Sequence, residues 1–202
     1  MEIPLKFNGH IDQRKLFERL YHRTSKLQVK SDVKPTAPTN ILCTAGNEWL
    51  RNPDAISSVL VQAKKKDIYL WRIILLLSSY GMRISEVLNI QYHEITAHGS
   101  IILKSLKNSN DRIIVISEIK EYLLLCRANG INPFDAYNRW YCYREFQKLG
   151  ISFSSPLSTK KSVTHAFRHI VVADLRAQNL NNAEIARYMG HKNEKNIDYY
   201  GK

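Results

Sequence analysis

Apolar residues recur at helical spacing along most of this chain. In "IDQRKLFERLYHRTSKLQ", Leu16, Phe17, Leu20 and Tyr21 share one face, which predicts an amphipathic, basic helix. The polar stretch "VKSDVKPTAPTN", with its two prolines, reads as a linker. These two pieces predict an N-terminal region over 1–40 and a compact domain over 41–202. Within the domain, "NPDAISSVLVQAKKK" predicts a helix that Pro53 opens in its first turn. "DIYLWRIILLLSSYG" is apolar on nearly every face, so it predicts a central helix, ended by Gly81 in the left-handed conformation. "ISEVLNIQYHEI" starts the next helix.

The period then changes. "SIILKSLK" and "DRIIVIS" are β-branched runs on either side of the turn-like "NSN", and they predict a hairpin. Helical spacing returns over Glu118–Ala128, Asp135–Lys148, Thr164–Gln178 and Asn182–Met189, and "NEKNIDYYGK" reads as a short helix or turn. The fold class expected is mainly α with a small antiparallel β-hairpin.

Composition adds a bias toward one class of partner. With 30 Lys+Arg against 18 Asp+Glu, the formal net charge is +12 over 202 residues. That excess favours a polyanion, with nucleic acid ahead of a membrane surface. The three cysteines, Cys43, Cys126 and Cys142, are odd in number and lack C-x-x-C spacing, so neither a disulfide framework nor a zinc site is expected. The start "MEIPLKFNGH" has no apolar signal core, and the longest apolar run, Ile73 to Leu77, is too short to span a bilayer. A soluble, cytoplasmic protein is the expectation.

The polar residues that a helical core does not want carry the chemistry. Arg83 follows the Gly81 break. Lys107 lies at the hairpin turn. His165 and Arg168 stand three apart inside the apolar pattern of "THAFRHIVVADL". His191 follows Gly190 at a helix end, and Tyr199 and Tyr200 lie near the terminus. Arginines, a lysine, histidines and a tyrosine, with no carboxylate pair and no metal-ligand set, suit the holding of a phosphodiester while a tyrosine attacks it. Arginine fits because its fork matches two phosphate oxygens.

"YGMRISEVLNI", "HAFRH" and "MGHKNEKNIDYY" resemble, in this order, the signature boxes of the tyrosine recombinases, or phage-integrase family. The likeness runs from about Asn47 to Tyr200. It implies a catalytic set of Arg83, Lys107, His165, Arg168, His191 and Tyr200, with Glu86 orienting Arg83. Lys104 is the alternative to Lys107 on the hairpin. The nucleophile of the family lies nine positions after the histidine of the G-H box, which here is Tyr200, with Tyr199 beside it. The implied reaction needs no metal and no cofactor. Tyr200 attacks a phosphate of double-stranded DNA and forms a 3′-phosphotyrosyl link, the cations neutralise the phosphate oxygens, and Lys107 protonates the leaving oxygen. The implied assembly is a homotetramer on DNA during synapsis, with no small-molecule substrate and no membrane.

Two other functions fit parts of the pattern. "NLNNAEIARYMGHKNEKNIDYY" also reads as a helix-turn-helix, which suits a non-catalytic DNA-binding regulator. A type IB topoisomerase or telomere resolvase would use the same residues with a different outcome. Lys64, Lys65 and Lys66, and Lys160 with Lys161, read as solvated faces that would meet phosphate on a DNA clamp. Trp49, Trp71 and Trp140 read as core.

Overall fold

The computed structural model describes residues 41–44, 53–104, 110–154 and 164–200. The predicted N-terminal helix, the linker, Trp49, Lys107, Lys160 and Lys161 lie outside them. Helix α1, Pro53–Lys66, has Pro53 as its first residue. Its buried residues Ala55, Ile56, Val59, Leu60 and Ala63 form one stripe that packs along α2, Ile68–Tyr80. Asp67 caps α2 by accepting from the Tyr69 and Leu70 amides at 2.8 and 3.3 Å. From Ile73 to Tyr80 every residue of α2 is buried, as the all-round apolar pattern predicts. The helix ends at Gly81 with φ 60°. A short α3, Ile84–Leu88, and a 3₁₀ turn, Tyr92–Glu94, follow.

The predicted hairpin is present as β2, Ile101–Leu103, antiparallel to β3, Arg112–Ile114. Both strands alternate buried, exposed, buried, so one face joins the core. Helices α4, Lys120–Ala128, and α5, Arg139–Lys148, come next, and then α6, His165–Ala177, and α7, Asn182–Met189. The final described element is a 3₁₀ helix, Glu194–Tyr200.

Two features depart from the sequence reading. A parallel pair, β1 at Ile41–Thr44 and β4 at Ile151–Ser154, aligns Ile41 with Ile151. Each run is only four residues long and its partner is over a hundred positions away, so no local periodicity announces it. Trp140, expected in the core, is 83% exposed. The buried stripe of α5 belongs to Cys142, Glu145, Phe146 and Leu149, and Trp140 falls on the opposite side. No described helix is long and apolar enough to cross a membrane.

The buried apolar residues form two groups. The larger runs from α1 through α5 to the first half of α6. The smaller joins Val171, Val172 and Leu175 of α6, Ile185, Ala186 and Met189 of α7, and Ile197 and Tyr200 of the 3₁₀ helix. Tyr200 therefore owes its place to side-chain packing by the last three elements.

Candidate active site

Arg168 projects from α6 and is only 1% exposed. Among the described residues no carboxylate pairs with it. Its donors go elsewhere. One terminal nitrogen donates to the Gly81 carbonyl at the end of α2. The other donates to the Met189 carbonyl at the end of α7 and contacts His191 Nε2, both at 3.1 Å. Nε donates to the Tyr200 hydroxyl at 3.2 Å. The guanidinium thus ties together two helix ends, a histidine and a tyrosine.

His191 is presented by a turn. Gly190 ends α7 with φ 72°, a left-handed cap that turns the chain, and the His191 amide then donates to the Ala186 carbonyl at 2.7 Å. The ring lies with Nε2 3.2 Å from the Tyr200 hydroxyl. Burial, followed by the charges of Arg168, Arg83 and Arg112, pushes the imidazole down to about 4 against the smaller opposing pull of Glu86. At neutral pH the ring is uncharged.

Glu86 organises the other side. Arg83 precedes α3, and its amide and guanidinium donate to the two Glu86 carboxylate oxygens at 2.6 and 2.7 Å. Arg112 reaches in from β3 and donates to Glu86 at 2.8 Å and to the Tyr188 carbonyl at 2.8 Å. Burial by itself raises the Glu86 carboxyl. Arg112, the Arg83 amide, and the charges of Arg83 and Arg168 outweigh it and hold the group below the usual carboxylate range. Burial lowers Arg112 to about 10 despite the Glu86 charge, so it remains cationic. Arg83, Arg112 and Arg168 against Glu86 leave two positive charges in excess.

The hairpin is stitched to the same place. The Asn110 amide donates to the Gly190 carbonyl at 3.0 Å, and its side chain donates to the His191 carbonyl at 3.3 Å.

Of the residues singled out from sequence, Arg83, Arg168, His191 and Tyr200 gather around this charge cluster. His165 opens α6 one turn before Arg168, but its side chain is not among those described. Lys107 is outside the described residues, and its alternative Lys104 is exposed just past β2. The Tyr199 side chain is likewise not described. Sequence reasoning passed over His169. Its ring lies 4.8 Å from that of Tyr200 between centroids, and its Nδ1 is 3.4 Å from the Tyr200 carbonyl. The second histidine of "HAFRH" was its only signal.

A sequence model of the Phage integrase family matches residues 50–202. Tyrosine recombinase XerA of Thermococcus kodakarensis is 25% identical over 163 residues, covering 72% of this chain and 54% of that protein. The chain thus spans about half the length of that curated relative. A crystal structure of XerA recombinase matches with a TM-score of 0.56 at 18% identity, covering 90% of this chain and 66% of the other. That likeness is one of fold.

Proposed function

Since the chain belongs to the phage integrase family, we propose that it is a site-specific recombinase that cleaves and rejoins double-stranded DNA through a 3′-phosphotyrosyl link on Tyr200. The observation that carries this reading is the Tyr200 hydroxyl, held by Arg168 at 3.2 Å and by His191 at 3.2 Å in a cluster where three arginines face the one carboxylate of Glu86. A phenol is a weak nucleophile until its proton is removed, and an adjacent base and nearby positive charge favour that removal.

In this mechanism Arg83 and Arg168 stabilise the charge that builds on the phosphate oxygens. Arg83 is suited to first contact because its side chain is 30% exposed. Among the described residues, Gly81, Met189, His191 and Tyr200 engage four of the five N–H groups of Arg168, and the fifth is assigned to a phosphate oxygen. Lys107 serves as the acid for the leaving 5′ oxygen, with Lys104 as its alternative, and His165 adds a contact to phosphate. The phosphotyrosyl link conserves the energy of the cleaved bond, so rejoining needs no ATP. Assembly as a homotetramer on DNA belongs to the same reading.

The test is a pool of nicked duplex oligonucleotides of randomised sequence, incubated with the full chain and run on a denaturing gel. Wild type and Tyr199→Phe are expected to give a covalent protein–DNA band, and Tyr200→Phe none. A band that persists in Tyr200→Phe and vanishes in Tyr199→Phe moves the nucleophile by one residue. Absence of any band in wild type, with DNA binding intact, replaces the reading with that of a non-catalytic regulator.

A further inference from the structure

The phenol of Tyr200 must lose a proton before it can attack, and the geometry limits where that proton goes. Arg168 Nε carries one hydrogen and cannot accept another, so at 3.2 Å it donates to the Tyr200 oxygen. Among the described residues, the other neighbour of that oxygen, and the one left for the phenolic hydrogen, is His191 Nε2 at 3.2 Å. Arg168 also aims an N–H at this Nε2 from 3.1 Å. A guanidinium never gives up its proton in a protein, so Nε2 faces two donors and must present its lone pair. The ring proton then sits on Nδ1. Resting on the phosphotyrosyl reading above, we propose that His191 Nε2 is the general base that takes the Tyr200 proton during strand cleavage.

The step balances without any further reactant. The O–H proton passes to Nε2 and makes an imidazolium. The freed phenolate pair forms the new P–O bond, and the P–O5′ bond breaks with its pair on the 5′ oxygen, which a separate acid protonates. In rejoining, the 5′ hydroxyl returns its proton to the group that supplied it and attacks phosphorus, the tyrosyl oxygen leaves, and the imidazolium gives that oxygen its proton back.

The charges around the ring explain why the base stays idle without DNA. Arg168 of α6, Arg83 just before α3, Glu86 of α3, Arg112 of β3 and Tyr200 itself surround it, and the three arginines disfavour a further positive charge. A phosphate diester arriving among those arginines offsets them and raises the proton affinity of the imidazole. The base therefore strengthens when substrate is in place.

The test uses the full chain and the randomised duplex pool, with a 5′-bridging phosphorothiolate at one fixed intact linkage close to the nick. Sulfur leaves without an acid, so the pH profile of adduct formation reports the base alone. Wild type is expected to lose rate as pH falls through the titration of one group. His191→Asn is expected to be slower by about 100-fold at neutral pH, to lack that acid limb and to regain rate with added imidazole. His165→Asn is expected to keep the limb. An unchanged limb in His191→Asn, or its loss in His165→Asn alone, overturns the role of His191 while leaving the phosphotyrosyl reading intact. No adduct from wild type removes both. Nitrogen-15 spectra of the wild-type histidines provide a check that needs neither DNA nor a folded variant. An unprotonated His191 Nε2 is expected, and a proton resident on Nε2 at neutral pH overturns the proposal.

Discussion

Gly81→Ala places a methyl group where the site has least room. At φ +60° the new Cβ meets Met189 Cε at 2.9 Å, Met189 Sδ at 3.0 Å and Val171 Cγ1 at 3.3 Å. The left-handed backbone alone costs a non-glycine residue about 1 to 2 kcal/mol. Overpacking adds about 1 to 3 kcal/mol, moderated because a methionine tail gives way more readily than a β-branched valine. The expected loss is about 2 to 4 kcal/mol. Gly130→Ala supplies the control, since φ is +65° there and nothing lies within 4 Å of the added Cβ; it should cost about 1 kcal/mol. Gly190→Ala falls between, with the Asn110 carbonyl and Arg112 Cδ both at 3.3 Å. Urea unfolding of the three variants, at constant slope, measures the order. Because Arg168 holds the Gly81 and Met189 carbonyls, Gly81→Ala should also slow adduct formation while Gly130→Ala leaves it unchanged. Equal costs for Gly81→Ala and Gly130→Ala would refute the claim that close packing at the end of α2 sets the site.

Other perturbations separate charge, proton and contact. Arg168→Ala should lower the rate of adduct formation by about 10²- to 10³-fold and DNA affinity by less, because the guanidinium acts mainly on the transition state; equal losses in both would count against that. Binding to duplex DNA should weaken steeply with salt, by about 0.9 in log K per decade of salt for each phosphate contact, and a flat response between dilute and physiological buffer removes the phosphate-tracking surface. Glu86→Gln removes the counter-charge of Arg83 and buried Arg112 and should cost about 2 to 4 kcal/mol in urea unfolding; a change under about 0.5 kcal/mol speaks against that bridge. His191 titrates near 4 in the folded chain, below its unfolded value of about 6.5. Its contribution is therefore full above about pH 6.5 and lost as pH falls toward 4. Allowing for solvent screening of a partly exposed ring, this amounts to roughly 1 to 2 kcal/mol. His191→Asn should flatten the pH dependence of the urea midpoint by that amount, and an unaltered slope would contradict it.

Elements whose pattern is local were legible in the sequence. The unbroken apolar run of α2, its glycine stop and the change of period at the hairpin each state their structure within a dozen residues. The β1–β4 pair was not legible, because two four-residue runs gain meaning only from each other. The outward turn of Trp140 was missed because a tryptophan suggests burial, whereas the phase of α5 had already been set by Cys142, Glu145 and Phe146. At the site, ordered motifs brought forward Arg83, Arg168, His191 and Tyr200. They did not reveal that Arg112, a strand residue, closes the Glu86 bridge from the far side. Nor did they give weight to His169, whose interest lies in a ring contact between distant positions.

The way Arg168 is held has a consequence for how the site responds to an anion. The two carbonyls it grips stand at the C-terminal ends of α2 and α7, where the aligned peptide dipoles place about half a negative charge each. Together they amount to roughly one charge, spread over backbone that neither titrates nor rotates. A carboxylate in the same role would be a discrete rival to phosphate, and it would release the arginine on protonation, as Glu86 must in acid. Helix ends do neither. They compensate the desolvated guanidinium enough to fold around it, and among the described residues no carboxylate on Arg168 has to be displaced by an incoming phosphate.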